Sequence, residues 1–396
     1  MEFDSMSHSQ FQQAITLMND FAMRTGLDSD RPVRRYLWTD AFAVCNYIGL
    51  ARNTGAQRYR DLALRLVNQV HHTLGRHRRD DSRHGWISDL AEGEGEAHPT
   101  RGGLRIGKPL PERGAGDPFD ERQEWDRDGQ YFHYLAKWIY ALDQLSQATG
   151  ESCYNLWARE LAASAHDAFV EPATSGPPTR MYWKMSIDLS HPLVSSMGQH
   201  DPLDGYITAV QIQITAARLQ SSASGPNLSE AIRQYETMAN QTQWASPDPL
   251  GIGGLLVDAY RVVQLRHLGA PIDSHLVTKL LGAAHTGLRH YAANDELQAP
   301  AEYRLAFREL GLAIGLEAVE RLSRHAGQGG SVAEENIRRE LKALSRYIPL
   351  SRQICEYWLD PLQRNSYTWS EHRDINEVMM ATVLAPDGFL ELSARE

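Results

Sequence analysis

The stretch Ala148-Thr149-Gly150-Glu151-Ser152-Cys153-Tyr154 separates two amphipathic runs, and a close copy of it stands earlier in the chain as Thr54-Gly55-Ala56-Gln57-Arg58-Tyr59. Both fit the pattern Thr-Gly-x3-Tyr-x3-Ala, completed by Ala158 and Ala63. After the first copy, Leu161, Ala165 and Phe169 continue one apolar stripe; after the second, Tyr59, Leu62, Leu66 and Val70 do the same, which is the spacing of one helix face. Glycine at such a junction suits the residue that closes an incoming helix, because a left-handed backbone costs it little. The repeat therefore predicts helical hairpins.

The incoming helices are more apolar than the outgoing ones. Residues 128 to 147 carry Tyr131, Tyr134, Leu135, Trp138, Leu142 and Leu145 at helical spacing, and residues 250 to 267 and 303 to 322 are apolar nearly all round. A helix apolar on every side is buried, whereas a single stripe marks an outer helix. Incoming segments start at 38 (WTDAF), 127 (RDGQYF), 201 (DPLDGY), 248 (DPLGIGG), 303 (YRLAFREL) and 372 (HRDINEVM). Outer helices are predicted at 57 to 75, 152 to 169, 228 to 241, 273 to 290 and 333 to 346, with a helix at 8 to 24 to pair with the last inner one. Six hairpins predict an all-α fold, an (α/α)6 toroid or six-hairpin barrel, formed by residues 1–396 as one domain. An open helical solenoid is the alternative. Little β structure is expected, near 83 to 110 and 180 to 195. Residues 76–124 and 170–200 lack helical period and are expected as lid or wall insertions over one mouth of the ring.

Composition agrees with a globular protein: 42% of the 396 residues are hydrophobic and 23% charged, enough to bury a large core. The net charge of −10 comes with both signs interspersed, so no basic stripe offers itself to nucleic acid. No basic start followed by an apolar run resembles an export signal, and no stretch of about 18 apolar residues suggests a membrane span, so a cytoplasmic protein is expected. Cys45, Cys153 and Cys355 are isolated and read as small core residues.

With Asp128-Gly129-x-Tyr131-x-x-Tyr134 at an inner-helix start and the hairpin turn from Ala148 to Tyr154, the chain resembles the six-hairpin glycosidase superfamily. That group includes unsaturated glucuronyl hydrolases, and the N-acylglucosamine 2-epimerases share its toroid. The resemblance implies catalytic carboxylates at inner-helix starts, where Asp40, Asp128, Asp204 and Asp374 stand. The paired catalytic histidines of the epimerases have no clear counterpart. Physical reasoning points to the same place, because unpaired N–H groups and helix dipoles there favour oxygen-rich ligands.

Three clusters carry the chemistry. The first is Glu124-Trp125-Asp126-Arg127-Asp128-Gly129-Gln130-Tyr131-Phe132-His133, with rings to stack on sugar faces and carboxylates to hold hydroxyls and move protons; its structural alternative is an N-cap aspartate with solvated neighbours. The second, Ser196 to Gly205, sets His200 beside Asp201 and near Asp204, a general acid/base with an orienting carboxylate, although Asp201 before Pro202 also reads as a helix cap. In the third, Tyr367 to Glu377, Asp374 reads as a cap with Glu377 three residues on, leaving Trp369 and His372 as the site residues. Arg101-Gly102-Gly103-Leu104-Arg105-Ile106-Gly107-Lys108-Pro109 has P-loop spacing, but Pro109 replaces the magnesium-binding hydroxyl. Its cations, with Arg304 and Arg308, are instead available to a carboxylate or phosphate.

His71, His72 and His77 lack zinc-site spacing, Gly251 to Gly254 is no dinucleotide fingerprint, and neither metal nor cofactor is expected. The leading expectation is a glycoside hydrolase-like enzyme acting on a small carbohydrate, neutral or anionic. Asp128 would be acid or base and Asp204 or Asp40 its partner. Glu124, Trp125, Tyr131, His133, Arg105, Lys108, Trp183, Arg308, Trp369 and His372 would bind substrate. A sugar epimerase or isomerase using His200, His133 or His372 is the alternative, and a non-catalytic helical scaffold the third.

Overall fold

A computed structural model describes residues 2–114, 116–173, 176–177, 179–325 and 332–392. In chain order the helices are α1 (Glu2–Arg24), α2 (Leu37–Thr54), α3 (Gln57–Leu74), the short α4 (Glu92–Ala97) and α5 (Glu121–Asp126), α6 (Phe132–Thr149), α7 (Ser152–Phe169), α8 (Asp201–Arg218) and α9 (Ser229–Asn240). They continue as α10 (Pro249–His267), α11 (Ser274–Ala293), α12 (Ala306–His325), α13 (Val332–Leu344), α14 (Pro349–Leu359), the short α15 (Pro361–Arg364) and α16 (Tyr367–Glu371), α17 (Arg373–Leu384) and α18 (Asp387–Leu390). The chain is all-α, and each of the six inner segments expected from sequence is a helix.

Two compact units are present. Unit I comprises Ala22–Ala51 and Ala56–Thr242; unit II comprises Met1–Phe21, Arg52–Gly55 and Gln243–Glu396. In unit I, α6 packs against α7 and α8, and α8 against α9. In unit II, α10 packs against α11 and α12, and α12 in turn against α14 and α17. Burial separates the layers as the sequence predicts. Every residue of α8 from Asp201 to Ile212 is buried, as is every residue of α17 from Asn376 to Leu384, whereas α3 buries only Tyr59, Leu62, Ala63, Leu66, Val67, Val70, His71 and Leu74. The Thr149-Gly150 turn takes the expected form: Gly150 closes α6 at φ 76°.

A buried carboxyl fastens three of these helices. Asp143 on α6 accepts from Gln211 (2.9 Å) and Thr215 (3.1 Å) on α8 and from Asn155 (3.1 Å) on α7. Burial pushes its carboxyl up, and these donors hold it back.

In unit II, glycines bring α10 and α12 to backbone contact. A Cβ on Gly253 would fall 2.1 Å from the Gly311 carbonyl oxygen, and one on Gly315 would fall 2.6 Å from the Gly253 Cα. Backbone on both sides leaves no flexible side chain to move aside. Gly253→Ala should therefore lower stability by about 1–3 kcal/mol through overpacking, even though alanine is the better helix former by about 1 kcal/mol. Denaturant midpoints test this, and an alanine variant at least as stable as the parent would mean that the helices do not cross so closely.

The structure departs from the sequence reading in three places. Helix α14 was not anticipated. The strands are β1 (Gln130–Tyr131), β2 (Lys184–Met185) and β3 (Pro192–Val194), an antiparallel sheet in the order β1-β2-β3, so that residues 130 and 131 are strand and α6 begins only at Phe132. Residues 83 to 110 contribute to isolated bridges alone, Arg76 with Trp86 and Leu110 with Arg127.

The two long connections are stitched to each other. Arg83 pairs with Asp81 and Glu112 on its own segment and with Asp188 on the other, at 2.8, 2.6 and 3.1 Å. Glu112 also accepts from the Ile187 N–H at 2.6 Å, and Arg113 donates to the Leu193 carbonyl at 2.9 Å. Positions 115, 174, 175 and 178 of these expected insertions lie outside the described residues.

Candidate functional site

Asp128, the first choice for catalysis from sequence, is the anchor of a loop. It is fully buried and accepts from Arg105 Nη1 at 2.5 Å, Arg78 Nη1 at 3.3 Å, and the N–H groups of Gly107 and Gly129 at 3.0 and 3.1 Å. With no solvent access and two cations against it, this carboxylate offers no approach to a substrate. Arg105 is equally committed: its Nε and Nη2 donate to the carbonyls of Arg76 and Thr73 at 2.7 and 2.6 Å. The geometry makes both residues supports of segment 104–108 and withdraws the catalytic and substrate-binding roles expected of them.

Glu124 is likewise structural. Its carboxylate receives Lys184 at 2.8 Å and Arg113 at 3.2 Å, and the Lys184 amine finds two further acceptors in the carbonyls of Glu124 and Arg127. Asp40 is buried beside Arg35 at 3.3 Å and reaches back to the Tyr36 N–H at 2.9 Å, which fixes the entry into α2.

On these supports rests a wall of rings within unit I. Tyr131 lies 5.2 Å from Trp183 and 5.3 Å from both His133 and Tyr134, measured between ring centres. His133 and Trp183 are nearly parallel, 12° apart. Trp125 stands edge-on to Trp183 at 5.3 Å, and the residue is 47% exposed. Trp38 and Tyr36 extend the wall through Tyr134, whose hydroxyl is 2.7 Å from that of Tyr36. Amphipathic rings of this kind suit the apolar faces of a sugar.

Beside the wall, Lys137 donates to both oxygens of Asp204, at 3.1 and 3.3 Å. His133 sits one helical turn before Lys137, so both side chains leave the same face of α6. Burial holds the His133 imidazole down to about 4; the Asp204 charge opposes that fall and Lys137 adds to it, leaving the ring neutral at pH 7. One turn before Asp204, Asp201 is the first residue of α8 and does not cap it. Burial pushes its carboxyl up to about 7, with Asp204 adding to the rise and Gly198 and Lys137 opposing it, and its Oδ2 has no hydrogen-bond partner. The Gly198 backbone lies against this carboxyl so closely that a Cβ would fall 2.3 Å from Oδ2. His200 is half-buried at the position preceding α8.

The structure thus gathers Asp204, Trp125, Tyr131, His133 and Trp183 in one region of unit I, with Lys108 at its edge over Tyr36. Arg308, Trp369 and His372 belong to unit II. There Arg308 pairs with Asp248 at 2.6 Å, Trp369 is buried in a stack on Trp358, and His372 meets the edge of Phe307. Asp374 lies inside the first turn of α17 and is not its cap, so the expected pairing of Asp374 with Glu377 as a capping box is not formed, and Glu377 accepts from Arg373 at 2.7 Å. Lys137, Tyr36 and Trp38 are the additions. Lys137 was legible as the residue one turn beyond His133, but a lone lysine on a buried helix carries no motif.

An apolar gap between α6, α7, α8 and α9, lined by residues such as Ala136, Ala165, Gly205 and Tyr235, includes none of the residues given a catalytic or substrate-binding role from sequence. Among the described residues no cluster of three or more His, Cys, Asp or Glu could hold a metal, and no helix is long and apolar enough to cross a membrane.

No family model and no curated protein matches the chain. The fold is similar to the structure of cellobiose 2-epimerase from Spirochaeta thermophila at 14% identity, covering 90% of this chain and 87% of that one with a TM-score of 0.48. A likeness of that size carries no argument about activity.

Proposed function

We propose that this protein is a carbohydrate-active enzyme on an (α/α)6 toroid, that the ring wall of unit I holds a sugar, and that the site moves a proton at carbon as an epimerase or isomerase does. The observation that carries this reading is the Asp204–Lys137 pair set beside a neutral His133 at the wall. Removing a proton next to a carbonyl needs one base and a donor for the developing oxyanion. Asp204 supplies the base, and a neutral imidazole or the Lys137 ammonium supplies the donor.

Hydrolysis asks for something different: two carboxylates facing each other across the scissile bond, about 5 to 9.5 Å apart. Asp40 and Asp128 are engaged by arginines, and the remaining pair, Asp201 and Asp204, stands one turn apart on a single helix. The observation that favours hydrolysis as a second reading is the proton-holding Asp201 carboxyl next to Asp204, an acid beside a base.

Incubation of reducing hexoses and disaccharides with the protein in deuterated water separates the readings. Deuterium entering at C2 with no sugar unit released is the expected result. Cleavage without carbon-bound deuterium would replace the epimerase reading with the hydrolase, and neither reaction on any sugar would return the chain to a scaffold.

A further inference from the structure

We propose that Lys108 is an imine-forming amine, which condenses with the aldehyde of an open-chain reducing sugar. The inference rests on the sugar reading above for its substrate class and on the following geometry for its chemistry.

Lys108 is half-buried, and its Nζ has no hydrogen-bond or ion-pair partner among the described residues. Its amine lies over the face of Tyr36, 5.5 Å from the ring centre, a weak partner at that distance. The other lysines differ. Lys137 is paired with Asp204, Lys184 has three acceptors, and Lys279 and Lys342 are exposed. Lys108 alone is both sheltered and uncommitted.

Its backbone, by contrast, is fixed on both sides. Its N–H reaches Asp128 Oδ1 at 3.4 Å, its carbonyl accepts from Arg78 at 2.7 Å, and the preceding Gly107 N–H holds the same carboxylate at 3.0 Å. Gly107 adopts φ 94° against the Arg35 carbonyl, where a Cβ would fall 2.4 Å from that oxygen. The buried clamp on Asp128 thus fixes the backbone from which the Lys108 amine reaches over the Tyr36 ring.

Charge selects the kind of ligand. Asp126, Asp128 and Lys184 lie near enough to act on the amine: burial lowers its proton affinity, Lys184 lowers it further, and the two aspartates oppose the fall. An added carboxylate or phosphate would meet those aspartates, so the anion-binding role expected from sequence is not favoured. An uncharged carbonyl would meet no such repulsion, and a desolvated amine is the more nucleophilic form. In the step proposed, the Nζ lone pair bonds to the carbonyl carbon and the C=O π pair moves to oxygen. The neutral amine gives up two protons in all, with which the oxygen leaves as water, and a C=N bond remains. Nothing is oxidised or reduced.

The test uses the intact protein at pH 7 with glycolaldehyde and cyanoborohydride, followed by peptide mass spectrometry. Lys108 should gain the reduced adduct faster than Lys279 and Lys342, since a lowered proton affinity raises its free-amine fraction. Excess D-glucose should protect Lys108 and leave its own reduced adduct there. Lys108→Arg keeps the cation and should lose both the adduct and C2 exchange while still binding sugar, read as a change in tryptophan fluorescence. Labelling of Lys108 no faster than of the exposed lysines overturns the proposal, as does full C2 exchange by Lys108→Arg, an outcome that leaves the epimerase reading standing. Glycolaldehyde labelling with neither protection nor exchange on any sugar overturns the assigned substrate class along with the sugar reading itself.

Discussion

Asp128→Asn is expected to lower the stability of unit I by about 3–5 kcal/mol, the usual cost of removing one member of a buried ion pair. The replacement keeps the shape of the side chain but strips charge from a position that faces Arg105 at 2.5 Å and Arg78 at 3.3 Å. Arg105 is largely buried and would stay so without its counter-charge. The N–H groups of Gly107, Lys108 and Gly129 all take Oδ1 and the two arginines Oδ2, so an amide, which accepts on one atom only, would turn its NH2 toward one of these sets of donors. Urea denaturation followed by circular dichroism measures the loss. The molecules that remain folded should retain most of their turnover, because the carboxylate is fully buried and committed to the loop. A variant of unaltered stability whose turnover collapses would restore Asp128 to the chemistry.

Asp204→Asn should act in the opposite way, lowering turnover on a reducing sugar by about 10²- to 10⁴-fold, the range for loss of a general base. The amide can still accept from Lys137, and the pair lies nearer the surface than Asp128 does, so stability should fall by only about 1–3 kcal/mol. Both quantities come from one preparation, kcat from a discontinuous sugar assay and the folding midpoint from denaturation. Full turnover by a folded Asp204→Asn protein would remove this residue from the mechanism.

The two aspartates illustrate what the sequence can and cannot disclose. Helical period and the Thr-Gly turns fall within short windows, and they placed all six inner helices and the contrast between inner and outer faces. Helix α14 escaped because it is short and follows α13 after only a single 3-10 turn, so no glycine separates the two. Asp128 was singled out because aspartate beside rings at a helix start matches a catalytic inventory. Its real partners, Arg105 and Arg78, stand 23 and 50 residues away in a segment with no period, and nothing local reveals that they return to it. The same long-range folding withdrew Glu124 through Lys184, 60 residues away. Rings were easier to read than charges, since Trp125, Tyr131, His133 and Trp183 do assemble: a ring serves whichever neighbour it meets, whereas a charge is claimed by the first opposite charge that reaches it.

The Arg83 junction bears on how such a scaffold can be re-engineered. One guanidinium ties its own segment, through Asp81 and Glu112, to Asp188 a hundred residues further along, so the two connecting segments behave as one inherited cassette. Transplanting either segment alone from another protein would strand unmatched charges on the one left behind, and new selectivity is more readily obtained by moving both together.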